Sequence, residues 1–472
     1  MSKSADSARG RRGHQRLFAG GVAPFYLVIL AVAILVGISA VMVISASSGE
    51  AVLKGTNAQE GISATLASFG AGVNNLLFIF AGALVAFIIS RLDYRTFAPW
   101  SFPFALILIV LLIYVLIGGV TILGAQRWIL IGSFSLQPSE LAKPVLLVFL
   151  AYALAYFSEA RKSESIVGMQ ATAYLGVTAS VIGVSILCII VQPDLGTTLI
   201  ITFGLLIIYI MSGYSLRFLV VILPVAAGLF LFRAFALGNY QAQRIQGLVQ
   251  GLFQGEYTHQ VQQGLYALGS GGLFGAGLGL SRQKYFYLPE AQNDFILAVI
   301  GEEMGLMGTL LVIGALALFL WAGFTITQGA RDRMGRVLAA GATTIVITQA
   351  VINLYAVIGF GPVTGKPLPF VTLGGSAMMS SFIMLGIILS VARFGGEPRE
   401  GYTNHRSLFT KCTNASASFI EKRFAGTTLE KSKKSRKTRK GRTTPEGGEV
   451  DEDDIEWRWD SRARVSGARA RA

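Results

Sequence analysis

Charge is scarce in this sequence. Asp, Glu, Lys and Arg make up 14% of its 472 residues, against roughly 25% in soluble domains, which excludes an ordinary water-soluble globule. Cysteine is nearly absent. Cys188 lies in an apolar run and Cys412 in a hydrophilic tail, which argues against a disulfide framework, and neither has the neighbours of a metal ligand. The three histidines, His14, His259 and His405, are far apart, which argues against a histidine-built zinc site. A dinucleotide-binding reading fails as well. The glycine-rich stretch 269–279 has no three glycines at i, i+2 and i+5, and no strand precedes it.

Apolar length is what the chain has. Hydrophobic residues make up 53% and mean hydropathy is +0.59. They gather into runs of about 18 to 24 residues, each able to cross roughly 30 Å of hydrocarbon. Ten spans are predicted, at about 25–46, 75–90, 103–121, 140–157, 172–191, 195–212, 218–236, 295–324, 337–358 and 374–393. The fold class is therefore all-α: a polytopic integral membrane protein with ten transmembrane helices. The first run follows Arg9, Arg11, Arg12 and Arg16 but is too long for a signal peptide, so it reads as a retained helix. The eighth is too long for one straight crossing and should tilt or lie partly outside the hydrocarbon.

Lys and Arg in the short loops set the orientation. Arg91 and Arg95, Arg161 and Lys162, Arg217, and Arg331, Arg333 and Arg336 follow even-numbered spans. The opposite loops are poorer, with Lys54, Arg127 and Lys366. Both termini are thus expected in the cytoplasm: a basic tail over 1–24, a transmembrane domain over 25–395, and a mixed-charge tail over 396–472 that reads as disordered. A large extracytoplasmic loop, about 237–294, falls between helices seven and eight. Loops of that length are usually functional. Much of the net charge of +14 sits in the two tails, which suits an anionic membrane surface; no nucleic acid partner is expected.

Carboxylates are costly at membrane depth, and Asp294, Glu302 and Glu303 mark one segment. Asp294 stands where the external loop meets the eighth span. As a helix-start acid it needs no chemistry, but the loop, the outward position and the preceding Pro289-Glu290 favour a catalytic acid. Glu302 and Glu303 point about 100° apart on a helix, so they are not expected to face one partner, and one of them reads as a structural anchor. Glu140 and Lys143 share a helix face and read as a positioning ion pair. Asp194 reads most simply as a helix-start acid. The stretch 361–376 holds three prolines and four glycines, which preclude a regular helix, and it carries Lys366 as a positive charge for a diphosphate. The stretch 269–279 reads either as a close-packed loop or as an amide nest near a diphosphate.

In order, these motifs resemble a known family. They are Gly124-Ala-Gln-Arg-Trp-Ile129 leading to Gln137-Pro-Ser-Glu-Leu-Ala-Lys143, and Gln192-Pro-Asp-Leu-Gly-Thr197. Ala267-Leu-Gly-Ser-Gly-Gly272, Leu288-Pro-Glu-Ala-Gln-Asn-Asp-Phe-Ile296, Gly301-Glu-Glu303, Pro367-Leu-Pro-Phe370 and Gly374-Gly-Ser376 follow. They are similar to the SEDS family of FtsW, RodA and SpoVE over about 25–395, with 275–284 closest to the FtsW form. Two places depart from the family pattern: Gln292-Asn293 stand where His-Thr is usual, and Thr372-Leu373 where Ser-Tyr is usual.

The resemblance implies a peptidoglycan glycosyltransferase that polymerises lipid II at the outer face of the bacterial cytoplasmic membrane during cell division. Asp294 matches the essential acid, and Glu140 with Lys143 the supporting ion pair. Candidates for substrate binding are Arg244, Lys366, Gln283, Lys284, Glu290 and Ser376. A divalent cation, Mg2+ or Mn2+, is a candidate cofactor with its ligands unassigned, and no organic cofactor is expected. Implied partners are a class B penicillin-binding protein (an FtsI-like transpeptidase) and other divisome proteins, at a septal location. The alternatives are a lipid II flippase, an elongation-type (RodA-like) polymerase, and a pure scaffold, the last of which leaves Asp294 and the ion pair unexplained.

Overall fold

The computed structural model describes residues 21–54, 58–122, 125–132, 134–160, 166–213, 228, 239–285 and 287–396. Its helices are α1 (Val22–Lys54), α2 (Ala58–Arg91), the short α3 (Tyr94–Phe97), α4 (Ser101–Gly118), α5 (Pro138–Ala160), α6 (Ile166–Val191) and α7 (Leu195–Met211). They continue with α8 (Asn239–Gln254), α9 (His259–Ser270), α10 (Ile296–Gly329), α11 (Arg333–Val357) and α12 (Gly375–Phe394). Among the described residues, eight helices are long and apolar enough to cross a membrane, and α7 adds a shorter apolar one. Of the seventh predicted span, 218–236, only residue 228 is among the described residues.

One departure from an all-α fold is local. Strands β1 (Val120–Ile122), β2 (Ala125–Ile131) and β3 (Phe134–Leu136) form an antiparallel sheet in that order between α4 and α5. The run Trp128-Ile-Leu-Ile131 suits a strand, and Gly132 turns it at φ 63°. The segment expected to be an external loop, 237–294, holds two regular helices, α8 and α9.

Burial sorts the helices into inner and outer. The apolar windows of α12, α5 and α11 are 78%, 72% and 67% buried, whereas that of α2 is 22% buried. The exposed positions of the outer helices are apolar, including Phe80, Phe87, Val110 and Ile117. Apolar exposure of that extent belongs against lipid, and the chain is a multi-pass membrane protein.

Two helices depart from a regular hydrogen-bond ladder, each for a visible reason. Pro144 sits inside α5 and has no N–H for the carbonyl of Glu140, four residues back. Ser380 of α12 donates to that carbonyl instead, at 2.9 Å. In α10 the helical path stops at Gly305, with φ 67° and ψ −162°. The 34-residue run is therefore two pieces, which resolves the excess length of the eighth predicted span.

The loops expected in the cytoplasm meet at one end of the bundle. Tyr94 donates to Asp332, Arg95 pairs with Asp332 at 3.0 Å, and Ser390 donates to the carbonyl of Leu92 at 2.6 Å. The starts of α5, α7, α10 and α12 lie at the other end, and the site is built there.

Candidate active site

Four charges are buried at that end. Lys143 lies 2.5 Å from Glu140, and Lys366 lies 3.3 Å from Glu140 and 2.9 Å from Asp194. All four side chains are 2% exposed or less. Two ammoniums offset two carboxylates, which is the condition for tolerating any of them at such a depth. Asp194 also accepts from Gln137 Nε2 at 3.0 Å, Ser139 Oγ at 2.8 Å, and the amide and hydroxyl of Thr197 at 3.2 and 2.9 Å. Burial alone would raise its pKa, but Lys366, Arg127 and the Thr197 amide hold it below the usual carboxylate range. The helix-start reading of Asp194 was thus half of its role: it caps α7 and it also anchors Lys366. Gly196 leaves room for the lysine stem, since a Cβ there would lie 2.6 Å from Lys366 Cγ.

Asp294 stands apart from this network. It is half-buried, and its carboxylate has no hydrogen-bond or ion-pair partner among the described residues. Burial and the nearby Glu290 raise its pKa to about 6, against the opposing pull of Arg244, Lys366 and Arg127. A Cβ added to Gly365 would sit 3.4 Å from Asp294 Oδ2 and 4.0 Å from Arg244 Nη1, so the acid and the guanidinium flank the same glycine. Arg244 also lines a cleft of about 180 Å³ with Tyr257, Gln260, Val261, Pro362 and Val363.

A second buried knot holds the glycine-rich loop. Glu303 pairs with Lys284 at 2.9 Å and accepts from Ser45 Oγ at 2.6 Å and from the amide of Gly279 at 3.0 Å. Glu302 accepts from Ser281 Oγ at 2.5 Å and from the amide of Arg282 at 2.8 Å. Both acids therefore face one partner, contrary to the expectation from their angular separation. The partner is a strap of loop and turn, 272–284, whose 279–284 part is long enough to reach past two directions of the helix. The strap's upstream part docks in the break of α10: Ala276 and Gly277 donate to the carbonyls of Glu302 and Glu303, and Leu306 donates back to Gly272. A Cβ on Gly275, where φ is 83°, would lie 2.2 Å from the carbonyl oxygen of Glu303. The glycines thus serve close backbone approach, and these amides are turned to α10.

Comparisons with known proteins agree with this architecture. The FtsW/RodA/SpoVE profile, described as "Cell cycle protein", matches residues 26–396. The chain is 35% identical to stage V sporulation protein E of Bacillus subtilis (strain 168), over 79% of this chain and 97% of that protein. It is 34% identical to the probable peptidoglycan glycosyltransferase FtsW of Trichlorobacter lovleyi, over 67% of this chain and 82% of that protein. The chain belongs to the FtsW/RodA/SpoVE family. The fold is similar to that of Thermus thermophilus RodA, with a TM-score of 0.54 and 24% identity over 79% of this chain and 97% of that one. It is also similar to a chain from the structure described as "Structural coordination of polymerization and crosslinking by a peptidoglycan synthase complex", with a TM-score of 0.57 and 24% identity over 78% and 96% of the two chains.

In this member of the family, the candidate residues separate into groups. Asp294, Arg244 and Gly365 come together, with Glu290 nearby. Lys366 is in the network with Glu140 and Lys143, rather than free beside a substrate. Ser376 is buried, accepting from the amide of Gln137 and donating to the carbonyl of Ser135. Lys284 is taken up by Glu303, Ser45 and the carbonyl of Gly279. Gln283 Oε1 is buried with no partner among the described residues, and Glu290 accepts from Asn293 at 2.6 Å. The two departures from the family pattern touch, since the amide of Leu373 lies 3.4 Å from the carbonyl of Gln292. The Asp194–Lys366 pair was missed; a lysine and an acid in two broken apolar stretches was the available signal.

Proposed function

We propose that this chain is a peptidoglycan glycosyltransferase that polymerises lipid II at the outer face of the cytoplasmic membrane. One observation carries the reading. Glu140, Asp194, Glu302 and Glu303 are all held by cations or hydrogen-bond donors, whereas Asp294 is half-buried with no such partner among the described residues. An acid in that state, with a pKa of about 6, is suited to accept a proton near neutral pH.

Asp294 takes the proton of the acceptor sugar's hydroxyl. The hydroxyl oxygen attacks the anomeric carbon of the donor, the glycosidic bond forms, and the polyprenyl diphosphate leaves with its bonding electrons. Attack opposite the leaving group inverts the anomeric centre. Arg244 faces the developing negative charge on the diphosphate. A divalent cation, Mg2+ or Mn2+, would add positive charge there. Diphosphate oxygens and water would supply most of its ligands, since Mg2+ commonly needs few protein ligands. The described residues hold no group of three or more ligands.

We place the protein in cell division, supported by its likeness to FtsW and SpoVE relatives and by the form of 275–284. Both termini are placed in the cytoplasm and the working site at the septum. A class B penicillin-binding transpeptidase is the proposed partner, together with other divisome proteins. The test uses purified full-length protein in detergent with lipid II. The wild type should make glycan with no membrane gradient present, which a flippase would not. Asp294→Asn should insert and melt like the wild type and make no polymer; full polymerisation by it would overturn the assignment. Localising a tagged copy to the septum or the side wall separates division from elongation.

A further inference from the structure

Asn353 of α11 is 1% exposed, and none of the roles above includes it. Its Nδ2 donates to the main-chain oxygen of Asp294 at 2.7 Å and to that of Lys366 at 2.9 Å. A side-chain amide has two N–H groups, so both are taken up. Its Oδ1 is buried and has no partner among the described residues. Turning the amide over would set that oxygen against two carbonyls, so the two acceptors fix its orientation. The residue is held there for its donors.

One turn earlier, Gln349 works beside it. Its Oε1 accepts from Lys143 at 2.6 Å and its Nε2 donates to the carbonyl of Pro367 at 2.8 Å. Positions i and i+4 share a helix face. One face of α11 therefore clasps the main chains of Asp294, Lys366 and Pro367. Gly365, next along, is the residue flanked by the Asp294 carboxylate and Arg244. Asn353 thus ties the main chain at Asp294 to the segment that carries Gly365.

We propose that Asn353 is a positioning residue for Asp294, its one amide nitrogen fixing the distance between the acid's main chain and the Gly365-Lys366 segment. The inference rests on the reading of Asp294 as the base. The charged groups around that carboxylate are Glu290 beside it, Arg244 from α8, Lys366 from the segment before α12 and Arg127 from β2. Without the clasp, the acid relaxes toward water. A carboxylate raised by burial then titrates lower.

The experiment uses the full-length protein in detergent with lipid II as substrate. Asn353→Ala should lower kcat by about 10- to 100-fold, the scale of a misplaced reacting group, with KM little changed. The acid limb of its kcat profile should move down by about one pH unit. Asn75→Ala is the control for lost stability alone, because Asn75 is as deeply buried and donates to Ser39 between α2 and α1 at 3.0 Å. It should lower the melting temperature and leave the acid limb in place. Should Asn353→Ala fail to accumulate, Asn353→Ser keeps one donor and should show the same shift with a smaller loss. An unmoved acid limb, or a kcat loss matched by Asn75→Ala at equal loss of melting temperature, overturns the proposal. Polymerisation by Asp294→Asn would instead overturn the reading beneath it. An inactive Asp294→Asn beside a fully active Asn353→Ala overturns this inference alone.

Discussion

Removing the charge of Lys366 tests the buried network most directly. Lys366→Met keeps much of the stem's volume and leaves Glu140 and Asp194 with one ammonium between them. Breaking a buried pair from one side costs about 3–5 kcal/mol. A second route to the magnitude starts from protonation. Asp194 can neutralise instead, which at pH 7 costs about 4 kcal/mol for an ordinary carboxylate of pKa near 3.9, and about 1.5 kcal/mol at pH 5. The two estimates agree at neutral pH, and the second adds a pH dependence. In the variant, the folded chain holds a proton that the unfolded chain releases above about pH 3.9, so stability falls as pH rises. In the wild type, Asp194 titrates below its ordinary range when folded, so its contribution is fully present above that range and is lost only in stronger acid. Thermal melts in detergent should therefore show a deficit on the order of 10 °C at pH 7, shrinking by more than half at pH 5. Lys366→Met combined with Asp194→Asn should recover most of it. A deficit that ignores pH, or a double variant no better than the single one, would refute the reasoning.

Other outcomes follow from the same geometry. Asp294 is active as the base only when ionised, so polymerisation should fall as pH drops through about 6, its raised pKa, by roughly tenfold per unit below it; a flat rate–pH profile down to pH 5 would contradict this. Gly275→Ala should destabilise by at least about 2–3 kcal/mol, because it combines a positive φ with backbone overlap. Gly269→Ala, at a helical position with nothing within 4 Å of the added carbon, should stay within about 1 kcal/mol of the wild type. Melting curves of the two variants check the contrast.

Much of this architecture was legible because hydrocarbon imposes it. Helices must satisfy their own backbone in lipid, so long apolar runs located nine of the ten predicted spans on helices, with all of the seventh except residue 228 outside the described residues. Asp294 and the Glu140–Lys143 pair stood out because ionised groups are rare in such runs. The strap was harder to read. Its glycines left a phosphate nest open beside the close-packed reading until the amides of Ala276 and Gly277 were found on the carbonyls of Glu302 and Glu303. Local periodicity also misjudged those two acids, because it treats a partner as a point rather than as a length of chain.

Composition and local pattern alone determined that this chain spans a membrane, where its long apolar runs lie, and which acids warranted attention. Only the tertiary structure decided which acid stands without a partner and which lysine is already engaged. Lys366 and Asp194 are 172 residues apart in sequence, and Asn353 reaches Asp294 across 59. Pairing across such distances depends on how separate helices pack, and no short window of sequence carries that information.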